Sequence, residues 1–117
     1  MINLPSYNLM KNKATSLGTE RLDSLAFLMK SLSDENRLRI LFCLNQGKKS
    51  VSRIVEELDL SQPLVSHHLK ELKRALLVQV ERNGPFIYYE ITNPEGIGLL
   101  RSLEKLATGL ITARTTF

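Results

Sequence analysis

Two helical periods stand almost end to end in the middle of this chain, and their spacing limits the possible folds more than any other feature. Val51, Ile54, Val55 and Leu58 recur at helical intervals behind Ser50, and Val65, Leu69, Leu72 and Leu76 do so behind Ser61. A serine just ahead of such a period is a helix N-cap, since its hydroxyl accepts from a first-turn amide that lacks an intrahelical partner. Pro63 suits the same turn, where its missing N–H leaves nothing unpaired. Asp59 and Leu60 alone separate the two periods, so the second helix must leave the first by a tight turn.

The flanking segments extend this pair on both sides. From Arg21 onward Leu22, Leu25, Ala26, Met29 and Leu32 mark a first helix, with Phe27 and Leu28 widening its apolar side. Ser33 as N-cap, followed by Asp34 and Glu35, opens a second helix that runs through Leu44 and is ended by Gly47. Beyond Ala75 the period drops to two: Val78 and Val80, then Phe86, Tyr88 and Glu90, alternate on either side of Asn83-Gly84, a dipeptide suited to a hairpin turn. Asn93-Pro94-Glu95 supplies a cap, an N1 proline and an acid for the helix dipole, opening a last helix to about Ala113. Residues 1–18, with Pro5, Gly18 and scattered polar side chains, read as a flexible N-terminal arm. The expected fold class is mainly α with a small β-hairpin, a single winged helix-turn-helix domain over residues 19–113 that works as a dimer.

In the fourth helix the stripe that must face the core leaves Gln62, Pro63, Ser66, His67, Lys70, Lys73 and Arg74 on the opposite side. Hydrogen-bonding groups lie near the N-terminus of that face and cations towards its C-terminus. A recognition helix needs this order, because its first turns reach base edges in the major groove while flanking cations meet phosphates; the Gln62 amide suits adenine. Ser61 belongs to the same end. Arg82, Asn83 and Gly84 place a cation at the hairpin tip, within reach of a minor groove or a phosphate. His68 falls beside Leu69 and Leu72 and is assigned to structure, whereas His67 is assigned to DNA. The excess of 16 Lys+Arg over 12 Asp+Glu, a net charge of +4, tolerates a polyanionic partner. A basic helix face is also commonly just solvated, so a winged-helix protein-interaction module without DNA readout is the alternative. No nucleophile with its base, phosphate-cradling glycine loop or metal cluster is recognisable, which argues against an enzyme and implies no cofactor.

Residues 60–91, LSQPLVSHHLKELKRALLVQVERNGPFIYYEI, resemble the helix-turn-helix and wing of the ArsR-type bacterial repressors. The preceding SDENRLRILFCL, residues 33–44, resembles that family's second helix, and the likeness extends over about residues 22–110. Leu76 stands where the family usually has a C-capping glycine, and Pro85 where it usually has a basic residue. The resemblance implies a homodimeric regulator of transcription, most simply a repressor, that binds a near-palindromic operator in double-stranded DNA and leaves it on an inducing signal. Many such proteins sense metals through Cys-x-Cys at positions matching Ser50 and Ser52, and hydroxyls are poor ligands for soft metals. A second family site uses Asp and His on the last helix, which here has neither. No metal site is therefore expected, and the inducer is unassigned.

Cys43 is the single cysteine, which excludes an internal disulfide. It stands among Leu38, Ile40, Leu41, Phe42 and Leu44, company in which a thiol is usually a small hydrophobe; a redox or ligand role is the lesser expectation. The N-terminus has no secretory h-region and no apolar run long enough to span a bilayer, so a cytoplasmic protein without membrane association is expected. Leu99, Leu103, Leu106 and Leu110 form a stripe wider than one intrachain contact needs, and Leu22, Leu25 and Met29 show the same excess. Both helices are expected to form an isologous dimer interface, setting the two recognition helices roughly 34 Å apart.

Overall fold

The computed structural model describes residues 18–115, so the expected arm lies, except for Gly18, outside the described residues. Seven elements follow in order: α1 (Gly18–Leu32), α2 (Glu35–Leu44), α3 (Val51–Leu58), α4 (Gln62–Arg74), β1 (Val78–Asn83), β2 (Phe86–Ile91) and α5 (Glu95–Thr115). Among the described residues, 18–33 and 34–115 are two compact units. In the first, α1 starts three residues ahead of Arg21. Leu22, Leu25, Phe27 and Met29 are all exposed on it.

In the second unit a polar side chain opens each of the first three helices. Asp34, not Ser33, caps α2: Asp34 Oδ1 accepts from the amides of Asn36 at 2.8 Å and Arg37 at 3.2 Å. The Ser33 hydroxyl instead donates to the Lys30 carbonyl at 2.7 Å, which satisfies the end of α1. A carboxylate accepts two amides where a hydroxyl of the preceding residue is already engaged, so the cap moves one residue on. Ser50 caps α3 and Ser61 caps α4, accepting from Arg53 and Leu64. Between them Asp59 adopts a left-handed conformation (φ 54°, ψ 47°), which turns the chain within two residues.

Ile40, Leu41, Leu44, Ile54, Val65, Leu69 and Leu72 form the core of α2, α3 and α4, joined by Val78 of β1 and Ile97 of α5. Burying each large aliphatic chain stabilises the fold by about 1.5–3 kcal/mol. Leu76 departs from the expected stripe and is 77% exposed. α4 ends at Arg74, and the amides of Leu76 and Leu77 turn back to the carbonyls of Lys73 and Leu72, each at 2.9 Å. This paired closure requires a left-handed residue just past the cap, and Leu76 supplies it at φ 62°.

The hairpin pairs Val78 with Ile91, Val80 with Tyr89, Arg82 with Ile87 and Asn83 with Phe86. Asn83 is thus a strand residue, and the turn is Gly84-Pro85, one position later than Asn83-Gly84. Gly84 takes φ 64°, open to a residue without a Cβ, and Pro85 holds the next φ negative. The later turn moves every pairing by two residues and so keeps the faces: Ile91, Tyr89 and Ile87 lie on the Val78 side, while Phe86, Tyr88 and Glu90 share the other face with Glu81. At its root the hairpin gains a third, one-residue partner, because Lys49 and Tyr89 exchange both backbone hydrogen bonds at 3.0 and 2.8 Å. Asn93 Oδ1 accepts from the Glu95 amide and opens α5. That helix buries Ile97, and residues 101–114 are exposed.

Candidate nucleic-acid interface

α4 presents its two sides very differently. Val65, His68, Leu69 and Leu72 are buried, and Gln62, Pro63, Ser66, His67, Lys70, Lys73 and Arg74 are exposed. The outer face therefore offers an amide, a hydroxyl and an imidazole before its cations. Ser61 is exposed, but its hydroxyl is engaged as the cap. Glu71 comes within 3.6 Å of the Arg74 guanidinium. This exposed pair is three residues apart on the helix and is worth little in water. Arg82, Asn83 and Gly84 are exposed at the end of the hairpin.

Behind the outer face, His68 is 5% exposed and ties α4 to the start of α2. Arg37 Nε donates to His68 Nδ1 at 3.2 Å, and His68 Nε2 lies 3.7 Å from Asp34 Oδ1. An imidazole that accepts at Nδ1 is neutral and carries its proton on Nε2. Burial lowers the His68 pKa and the Arg37 charge assists it, against the opposing pull of Asp34. For Asp34 burial acts upward, yet the Arg37 and Asn36 amides and the His68 and Arg37 charges hold its carboxyl below the ordinary value. Sequence periodicity singles out His68 as inward-facing but gives no signal for Asp34 or Arg37, which lie about thirty residues away.

A second polar cluster joins α2, α3 and the hairpin root. Lys49 Nζ donates to Glu57 Oε1 at 2.7 Å, to Gln46 Oε1 at 2.8 Å and to Cys43 Sγ at 3.4 Å. Arg53 Nε pairs with the other Glu57 oxygen. Hydrogen bonds from Lys49 and Arg53 hold the Glu57 carboxyl down to about 2. Cys43 is buried, and chiefly for that reason its thiol is pushed up, with Lys49 opposing. A groove of about 450 Å³ runs past it, lined by Glu35, Arg39, Phe42, Glu57 and Leu58 among others. Ser50 Oγ, at a position matching a family metal ligand, is spent on capping α3 and lies 3.4 Å from Ser52 Oγ. Two hydroxyls do not fit a soft metal ion.

A winged helix-turn-helix with an exposed polar and cationic recognition face matches known regulators in sequence as well as in shape. Residues 34–80 match the family model described as bacterial regulatory protein, arsR family. The transcriptional repressor SdpR of Bacillus subtilis is 39% identical over 64 residues, covering 55% of this chain and 71% of that protein. The chain belongs to the arsR family. An uncharacterized HTH-type transcriptional regulator of Methanocaldococcus jannaschii is 32% identical over 88 residues, covering 74% of this ArsR-family chain and 99% of the relative. The solution structure of a homodimeric winged helix-turn-helix DNA-binding domain from Mycobacterium bovis superposes with a TM-score of 0.71 at 29% identity, covering 80% of this chain and 87% of that one. The protein is accordingly a DNA-binding transcriptional regulator and not an enzyme. Among the described residues no helix is long and apolar enough to cross a membrane.

Proposed function

We propose that this ArsR-family protein is a cytoplasmic homodimeric repressor that seats α4 of each protomer in successive major grooves of a near-palindromic operator. The observation that carries this reading is the division of α4 into a fully buried stripe and an exposed face on which Gln62, Ser66 and His67 precede Lys70, Lys73 and Arg74. Gln62, Ser66 and His67 face base edges, and Lys70, Lys73 and Arg74 face phosphates. Ser61 and Pro63 set the helix entry that lets those side chains reach. Arg82, Asn83 and Gly84 carry the wing to the adjacent minor groove or its phosphates.

The apolar residues left in water on the two end helices support dimerisation: Leu22, Leu25 and Met29 on α1, and Leu99, Leu103, Leu106 and Leu110 on α5. Apolar stripes of this extent are covered by a partner protomer in a stable assembly. Cys43 is read as a core residue, since burial keeps its thiol protonated and away from oxidants.

The test is a mobility shift on the protein's own upstream DNA at several salt concentrations. Arg74→Glu weakens binding to every sequence and lowers the salt slope, whereas Gln62→Ala narrows the gap between operator and unrelated DNA. Absence of any shift at low salt overturns DNA readout by α4.

A further inference from the structure

The free end of the wing is apolar as well as basic. Phe86 stands 60% exposed directly after the Gly84-Pro85 turn, and Ile87 is 39% exposed. Strand pairing sets Phe86 opposite Asn83 and Ile87 opposite Arg82. Each apolar side chain at the tip thus faces a polar or cationic neighbour across the ladder. The Tyr88 ring, 6.4 Å from that of Phe86, covers one flank of it at most. An aromatic ring kept in water at a hairpin tip forgoes the gain of burial, and a binding partner restores it.

We propose that Phe86 is a wedge, which presses its ring against a base step in the operator minor groove and opens that step while Arg82 holds the flanking phosphate. The inference rests on the wing placement proposed above. Minor-groove proteins bend DNA with side chains of this kind, inserting Phe, Ile or Pro between bases that unstack cheaply. The ring sits at the part of the hairpin farthest from its root, and Pro85 stiffens the backbone immediately before it. Arg82, across from Ile87, supplies the attraction to a strongly negative groove that a purely apolar tip lacks. The consequence is selectivity by deformability: operators with a flexible pyrimidine–purine step under the wing are preferred, although no hydrogen bond reads that step.

The experiment uses the full chain and a duplex carrying its own upstream region, with affinity measured against salt and bend angle by circular permutation. Phe86→Ala is expected to weaken binding about ten-fold and reduce the bend while leaving the salt slope unchanged. Phe86→Leu keeps most of both, and Arg82→Ala lowers the salt slope by about one. Wild-type affinity and bend in Phe86→Ala, beside a changed slope in Arg82→Ala, overturn the wedge and leave the wing contact standing. If neither variant differs from wild type, the wing placement fails as well. A change of sedimentation in Phe86→Ala assigns the ring to a contact between copies and equally overturns the wedge.

Discussion

Leu76 is the residue whose backbone is most at odds with its side chain. A left-handed conformation costs an L-residue about 1–2 kcal/mol, and at 77% exposure the leucine recovers little of this by burial. Leu76→Gly is therefore expected to raise the unfolding free energy by about 1 kcal/mol in urea titration, after allowing for the freer unfolded chain that glycine brings. Periodicity could not show this, because a leucine seven residues past Leu69 continues the apolar stripe as though the helix went on. The inward setting of His68 was legible, since on the helical wheel it stands next to Leu72 at the edge of the apolar stripe. His68 also makes stability depend on pH. Its folded pKa lies below the ordinary 6.5, so the unfolded chain takes up the proton first as pH falls. Its contribution is complete above 6.5 and is lost as pH falls through the folded value. His68→Gln is expected to flatten that decline, measured as unfolding free energy between pH 8 and pH 5.

At the scale of elements, the helices were legible and the hairpin only in part. Each helix after α1 carries its own start signal next to an apolar period, and even the misplaced cap moved only from Ser33 to Asp34. Removing it by Asp34→Ala is expected to cost about 1 kcal/mol of stability in thermal or urea unfolding. The turn of the hairpin was misread by one residue, and its pairing therefore by two, because Asn83-Gly84 is a strong turn signal on its own. Pro85 decides otherwise: without an N–H and with a fixed φ it has no place in the ladder, so the turn must include it. Moving the turn by one residue moves every pairing by two and exchanges no faces, so Phe86 and Tyr88 lie with Glu81, and Ile87 and Tyr89 with Val80. The contacts of Lys49 with Glu57, Cys43 and the Tyr89 backbone join three elements, and no local pattern announces such a meeting.

For the whole molecule the decisive quantity is how much apolar surface a single chain leaves in water. α5 is 21 residues long, and Leu99, Leu106, Leu110 and Ile111 are each more than half exposed. Joint substitution of Leu103→Asp and Leu106→Asp is expected to give a species of 13.3 kDa in sedimentation, with its fold intact by circular dichroism. The same variant is expected to lose at least about 100-fold in operator affinity, since one α4 then engages one half-site without the other. A dimer that persists in that variant removes α5 from the interface.

The wing is, mechanically, a cantilever. Its root is clamped by the two Lys49–Tyr89 backbone bonds and by the Thr92 amide on the Leu77 carbonyl, and residues 82–87 project exposed beyond them. Three residues of strand beyond the Val80–Tyr89 pair, 81–83, carry the turn about 10 Å outward. A small rotation at the clamp is therefore carried out along the arm, and a tilt of about 6° moves the tip by about 1 Å. Lys49 belongs to the clamp through its backbone and to the Glu57–Cys43 cluster through its side chain. The aim of the wing is thus geared to the seam between α2 and α3, along a route that does not pass through the recognition helix.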